Sequence, residues 1–427
     1  MDQHTNIHHL IDHFFRHEAG KMVSVLTKIF GAENMDLAED VVQDSLMEAI
    51  SNWQYNGIPK NPSAWLYRVA KNRALNIVNR EKYRHQYVLE SSQFLHSEWT
   101  AEPALDYLFS EQQIQDDQLR MIFTCCHPAI SIDGQIALAL KTLCGLSIPE
   151  IAKAFLTTEE NINKRLVRAR QKIRDLKIPL TVPLGKELEE RLQSVLETIY
   201  LLFNEGYSAS QGNDLIRYEL CEEAIRLTDM ILGNPSFKEK ACVYALQALM
   251  QLNASRFKAR QDAGGNILTL EEQDRSLWDH SLMQGGFINL EKAASYKELS
   301  RFHILAAISA YHCAAIKYEM TDWKSILALY DRLLEIDRSP LVLLNRAIAV
   351  SKVEGIAAAI DELKNIQESL PLRSYHHFYS TLGAFYVEAE EYKTAIPILE
   401  KAVGLAPLLA EKAILKKKID YCYRKIL

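Results

Sequence analysis

Glycine and proline are scarce in this chain, at 16 and 12 of 427 residues. So few turn formers argue against a loop-rich fold. With long runs of Ala, Leu, Ile, Glu, Lys and Arg, they point to an all-α protein. No stretch of 18 apolar residues occurs, so no membrane span is expected. The opening Met1-Asp2-Gln3-His4 lacks the basic and apolar segments of a signal peptide. The seven cysteines are scattered, odd in number and without a CxxC pair. That suits free thiols in a reducing cytoplasm better than a disulfide framework. A phosphate-binding glycine loop, a nucleophile elbow and an HExxH pair are also missing. No catalytic residue, cofactor or metal is therefore expected.

Net positive charge is absent too. The chain has 49 basic and 55 acidic residues, a net charge of −6 and a pI near 6.1. As a whole-chain figure this argues against a nucleic-acid binder. The local pattern says the opposite. Residues 60–84 carry 7 basic and 1 acidic residue, and residues 136–178 carry 9 and 4. The flanking stretches 1–59 and 85–135 carry 3 basic against 9 acidic and 1 against 8. Two compact basic blocks thus stand in an acidic setting, and such asymmetry is the better guide to partners.

The length suggests two to four domains at about 100–200 residues each. Punctuation places the boundaries. Ile58-Pro59-Lys60-Asn61-Pro62 breaks the first helical stretch. Residues 86–112 are acidic and weakly periodic and read as a linker. Ile178-Pro179 and Pro183-Leu184-Gly185 close the second basic block. Long amphipathic helices follow over 186–427, interrupted most clearly at Asp262-Ala263-Gly264-Gly265-Asn266. Over 300–427 a repeat emerges. Trp323, Ile356 and Tyr392 each open a similar segment, 33 and then 36 residues apart. Paired helices with a period near 34 are the tetratricopeptide signature, and Gly383, Tyr386, Ala395 and Pro407 sit near its expected offsets. An ordinary helical bundle is the alternative.

Within the first basic block, residues 63–80 plot as one helix at 100° per residue. Leu66, Val69, Ala70 and Ile77 form its apolar stripe. Trp65, Arg68, Asn72, Asn76, Asn79 and Arg80 share a neighbouring face. An aromatic ring, amides and guanidinium groups are what single-strand DNA recognition needs: stacking on bases, reading of base edges and holding of phosphates. A solvated polar face with a boundary Trp is the alternative. Upstream, 36–52 reads as a helix with Ala38, Val42, Leu46 and Ala49 inside. Asp36, Asp40, Gln43 and Asp44 lie on another face, either solvated or a docking face for a partner protein.

The second block reads as a helix-turn-helix. Ser147 caps a helix with Pro149 in its first turn. Leu156-Thr157-Thr158 is the turn, with Leu156 where many such turns have Gly. The next helix buries Ile162, Leu166, Ala169 and Ile173. It lines an adjoining face with Asn161, Lys164, Arg165, Arg168 and Lys172, as major-groove insertion requires. Arg170 and Arg174 lie elsewhere. Cys125-Cys126-His127 with Cys144 lacks the usual two-residue gap of a zinc site and reads as a packed helix edge. His9, His13 and His17 share a helix face near the N-terminus and read as solvated. His312, Cys313, His376 and His377 read as interior or groove residues of the helical tail.

Taken together, these motifs resemble a bacterial RNA polymerase sigma factor of the sigma-70, extracytoplasmic-function (ECF) type. AEDVVQDSLMEAI is similar to conserved region 2.2, PSAWLYRVAKNRALNIVNRE to regions 2.3–2.4, and LSIPEIAKAFLTTEENINKRLVRARQKIR to region 4.2. FTCCHPAIS, YLLFNEGYSAS, EEQDRSLWD, TDWKSILALYD and SPLVLLNRA are similar to the subgroup with a long C-terminal extension. The resemblance implies region 2 over 1–85, region 4 over 113–178, and a helical C-terminal extension over 186–427 that is tetratricopeptide-like mainly over 300–427. It implies that Asp40, Gln43 and Asp44 meet the β′ clamp helices of core polymerase, with the β flap as a further contact. Trp65, Asn72 and Asn76, with the loop Gly57–Ser63, would capture flipped bases of the −10 element. Arg68, Lys71, Arg73 and Arg80 would hold phosphates. Asn161, Lys164, Arg165, Arg168 and Lys172 would read the −35 element. The linker would thread toward the polymerase active-site channel, and an unknown protein or ligand would bind the extension. A polymerase-independent helix-turn-helix regulator with a sensing repeat domain is the other reading. It leaves the 60–84 face unexplained.

Overall fold

The computed structural model describes residues 18–84, 109–155, 157–208, 216–235, 237–238, 240–262, 268–296, 299–366, 370–373, 375–406 and 409–426. It is 79% helical, and no β-strand occurs among the described residues. In chain order the helices are α1 (18–30), α2 (Met35–Asn56), α3 (Pro62–Arg84), α4 (Glu111–Cys125), α5 (Ile132–Thr142), α6 (Ile148–Ala154) and α7 (Glu159–Leu176). They continue with α8 (Lys186–Tyr207), α9 (Tyr218–Gly233), α10 (Ala241–Ala254), α11 (His280–Ala294), α12 (Arg301–Ala314), α13 (Trp323–Ile336) and α14 (Pro340–Val353). The last are α15 (Ile356–Ile366), the single turn α16 (Leu370–Arg373), α17 (His376–Glu388), α18 (Tyr392–Leu405) and α19 (Leu409–Ile426).

The chain divides into two compact units. The first spans 1–206 with 218–231, and the second 207–217 with 232–427. The first unit therefore runs past the proline-rich stretch at 178–185 and takes in nearly all of α8 and α9. Arg191 on α8 is buried and donates to the Phe123 carbonyl at the end of α4, at 3.1 Å. Arg226 on α9 donates to Gln118 Oε1 at 3.0 Å. Leu188, Val195, Leu196, Ile199, Leu202 and Phe203 bury the apolar stripe of α8. The backbones come close at Gly20, where a Cβ would stand 1.9 Å from the Leu143 carbonyl oxygen. Only glycine fits there.

The cysteines at 125, 126 and 144 are buried in this unit and free of disulfides. Burial pushes the Cys126 thiol up to about 12 and raises the other two. Thiols held this firmly protonated are neither nucleophiles nor ready metal ligands, which fits a packed helix edge. His9, His13 and His17 lie outside the described residues.

In the second unit, from α12 onward, each helix packs on the next, α15 packing on α17 past the single turn α16, around a shared core that includes Ile326, Ala347, Leu363, Phe378 and Leu399. Trp323, Ile356 and Tyr392 each begin a helix. A Cβ on Gly383 would meet Leu399 Cδ2 at 2.6 Å, so α17 and α18 approach closely through that glycine. Ala395 is fully buried and Tyr386 nearly so, while Pro407 lies outside the described residues. Cys313 is buried and His312 half-buried.

Candidate nucleic-acid and polymerase interface

Helix α3 starts at Pro62, with Asn61 Oδ1 accepting from the Ala64 amide at 3.0 Å. The preceding loop turns at Gly57, whose φ of 77° favours glycine. The buried row on α3 is Leu66, Ala70, Ala74 and Val78, while Val69 and Ile77 are half-buried. This row steps by four residues, as expected where an i±4 ridge packs into a neighbouring helix. The expected stripe was therefore centred too far round the helix.

On the outer side Arg68, Asn72 and Asn76 are exposed. Trp65 is half-buried, edge-on to Trp53 with ring centroids 5.6 Å apart. This contact leaves part of the indole open while fixing its angle. Lys71 departs from expectation. It is only 8% exposed. It falls on the turn that carries Ala70 inward. Arg73 is half-buried and bonded to Asp44 at 3.0 Å and Glu48 at 2.8 Å. One expected phosphate contact is thus neutralised by one expected polymerase contact. Asp40, Gln43 and Asp44 are all exposed on α2. The side chain of Arg80 lies outside the described residues.

The helix-turn-helix is built as its residues dictate. Ser147 accepts from the Glu150 amide while Glu150 reaches back to the Ser147 amide at 2.5 Å, a capping box with Pro149 in the first turn. Thr158 caps α7, accepting from the Asn161 amide. Ile162, Leu166, Ala169 and Ile173 are the buried residues of α7. Asn161, Lys164, Arg168 and Lys172 are exposed. Lys164 pairs with Glu160 one turn back at 2.7 Å, a solvated pair of little energy that DNA phosphates readily replace. Arg165 is half-buried, held by Asp133 at 2.9 Å and by the Phe155 ring 5.1 Å away.

Sequence reasoning missed how the two basic modules are joined. Arg170 bonds both oxygens of Glu39 at 2.8 and 2.7 Å and reaches Asp36 at 3.0 Å. Arg174 adds a bond to Asp36 at 2.8 Å, and Thr142 donates to Glu39 at 3.1 Å. Lys28 on α1 pairs with Asp117 on α4 at 3.1 Å. The carboxyl of Asp117 is raised above its ordinary value, because burial outweighs Lys28 and Arg120. The signal was present as two arginines one turn apart on α7, off the groove face, and an acidic face on α2.

Two exposed, cation- and amide-bearing helix faces, one of them a capped helix-turn-helix, define an all-α DNA-binding protein. Residues 14–84 match the family Sigma-70 region 2, and residues 120–173 match Sigma-70, region 4. Residues 191–294 match a family of unknown function, DUF6596. An uncharacterized protein of Rhizobium meliloti (strain 1021) is 35% identical over 405 residues, covering 94% of each chain. The chain belongs to the sigma-70 family of RNA polymerase sigma factors, whose members are transcription initiation factors rather than enzymes. Its role is promoter recognition, in contact with core polymerase and promoter DNA. Among the described residues no helix is long and apolar enough to cross a membrane.

Proposed function

We propose that the chain is a cytoplasmic sigma factor of the ECF type, with a tetratricopeptide-like extension that modulates its activity. Asp40, Gln43 and Asp44 dock on the β′ clamp helices, and the helix-turn-helix module meets the β flap. Trp65, Asn72 and Asn76, with the Gly57–Ser63 loop, take flipped −10 bases, while Arg68, Arg73 and Arg80 hold phosphates. Arg73 must first leave Asp44, so polymerase docking and DNA capture become linked steps. Asn161, Lys164, Arg165, Arg168 and Lys172 enter the major groove at the −35 element. The stretch 86–112 threads toward the active-site channel.

The observation that carries this proposal is the joint exposure of Arg68, Asn72 and Asn76 on α3 and of Lys164, Arg168 and Lys172 on α7. A repressor needs only the second set. Reconstitution with core polymerase on a template bearing −35 and −10 elements is the test. Initiation that depends on the added chain supports it, whereas duplex binding with no initiation would overturn it.

A further inference from the structure

The second unit brings two imidazoles and a carboxylate together at the start of two helices. His376 opens α17 and is 6% exposed. Its Nε2 stands 3.2 Å from Oε1 of Glu411 in the first turn of α19. The His377 ring lies against the His376 ring, with centroids 3.8 Å apart and planes at 38°. Neighbouring residues on a helix normally diverge by about 100°. Here both rings converge on Glu411 instead, and one ligand atom from each of the three lies within 4.8 Å of the others. Tyr375 walls the cluster, edge-on to both rings at 5.9 and 5.2 Å.

We infer that His376, His377 and Glu411 form a binding site for a divalent first-row transition metal, zinc by preference. Two neutral imidazoles and one carboxylate suit borderline ions such as Zn²⁺, Co²⁺ and Ni²⁺. Bonds of about 2.0–2.1 Å set ligand–ligand edges of roughly 3.3 Å in a tetrahedron. The His376–Glu411 separation already has that length. A side-chain rotation of the half-buried His377 closes the third edge. Three protein donors leave a position for water. The two helix N-termini oppose a cation, but this effect is small beside three metal bonds. The ion would tie the start of α17 to the start of α19, fixing the last helix of the extension. This site does not depend on how the first unit works.

The test uses the full chain, stripped with a chelator and titrated with Zn²⁺, and with Co²⁺ as a spectroscopic reporter. One ion per chain is expected, with a visible Co²⁺ band of low coordination number and a raised melting temperature. His377→Ala and Glu411→Gln should each weaken binding by about 100-fold, in line with loss of a direct ligand. His376→Ala risks misfolding because its side chain is buried, so His377→Ala, with an unchanged apo melting temperature, is the deciding variant. A His9→Ala/His13→Ala/His17→Ala variant should bind as well as the parent. Absence of stoichiometric binding overturns the site. So does binding that survives His377→Ala and Glu411→Gln, or that disappears with the N-terminal histidines. In that case His376 and Glu411 are simply a hydrogen-bonded pair between two helices.

Discussion

The guanidinium of Arg170 on the helix-turn-helix module grips both carboxylate oxygens of Glu39 on the region 2 module, at 2.8 and 2.7 Å. Both side chains are largely out of water, at 19% and 17% exposure. Elements at −35 and −10 are about 25 base pairs apart, or roughly 85 Å of duplex. Under the proposed function, the two modules part to occupy both. Arg170→Ala should destabilise the first unit by about 1–3 kcal/mol, because it leaves Glu39 half-desolvated with Thr142 and no cation. Chemical denaturation of Arg170→Ala, Glu39→Gln and the double variant forms a cycle, with a coupling of at least about 0.5 kcal/mol expected. Additive single effects would show that the pair does not hold the modules together.

Asn72 is exposed, so Asn72→Ala should leave the melting temperature within the small range of surface substitutions. Removing one interaction with a base is worth about 1–3 kcal/mol, a drop of roughly 10- to 100-fold in open-complex formation. Trp65→Ala should behave alike, with some added loss of stability from the Trp53 packing. Permanganate footprinting of the melted region, beside a polymerase-binding assay, separates the effects. Weaker polymerase binding with normal melting would contradict the assignment of this face.

Lys164→Ala and Arg168→Ala remove cations from the exposed side of α7. Each should weaken −35 duplex binding and lower the slope of log affinity against log salt by about 0.9 for each phosphate no longer neutralised. Titration at three salt concentrations reads this directly. An unchanged slope would mean that these residues face solvent in the complex.

The buried set of α7 was legible in full, because Ile162, Leu166, Ala169 and Ile173 repeat at helical spacing with polar residues between. The Ser147 cap was legible because its chemistry is local. On α3 the wheel found Leu66 and Ala70 but missed Ala74 and Val78. Periodicity gives the width of a stripe, whereas the ridge of the partner helix sets its tilt. The burial of Lys71 was not legible, because charge alone does not tell which way a long aliphatic stem packs. The pairing of Arg170 with Glu39 spans 131 residues, and no periodic pattern links positions so far apart. His376 and His377 were legible as interior residues. Their meeting with Glu411 depends on how two later helices cross.

His312 supplies a pH test of the second unit. Burial, then the charges of Arg256 and Arg275, push its imidazole down to about 3. The unfolded chain has a value near 6.5. A depressed pKa contributes stability above the unfolded value, which is lost as pH falls through about 6.5 toward 3. From pH 8 to pH 5 this one group should cost about 2 kcal/mol. His312→Gln should flatten that part of the stability–pH curve, measured by urea denaturation. A curve parallel to the parent would place the imidazole in water.

The first unit does not end where the second basic block ends, and this dictates how the extension is removed. A chain cut after residue 185 loses α8, and with it the Arg191 bond to Phe123 and the apolar row from Leu188 to Phe203. Stripping a whole buried helix face exceeds what a marginally stable unit tolerates. Fragment 1–185 should therefore aggregate or melt far below fragment 1–231, which keeps α8 and nearly all of α9. Promoter-dependent transcription by fragment 1–231 with core polymerase then isolates the later helices. A changed level, or a lost response to conditions, is expected if they modulate activity. Transcription and regulation identical to the full chain would rule that role out. A defect seen with fragment 1–185 alone would reflect a broken core.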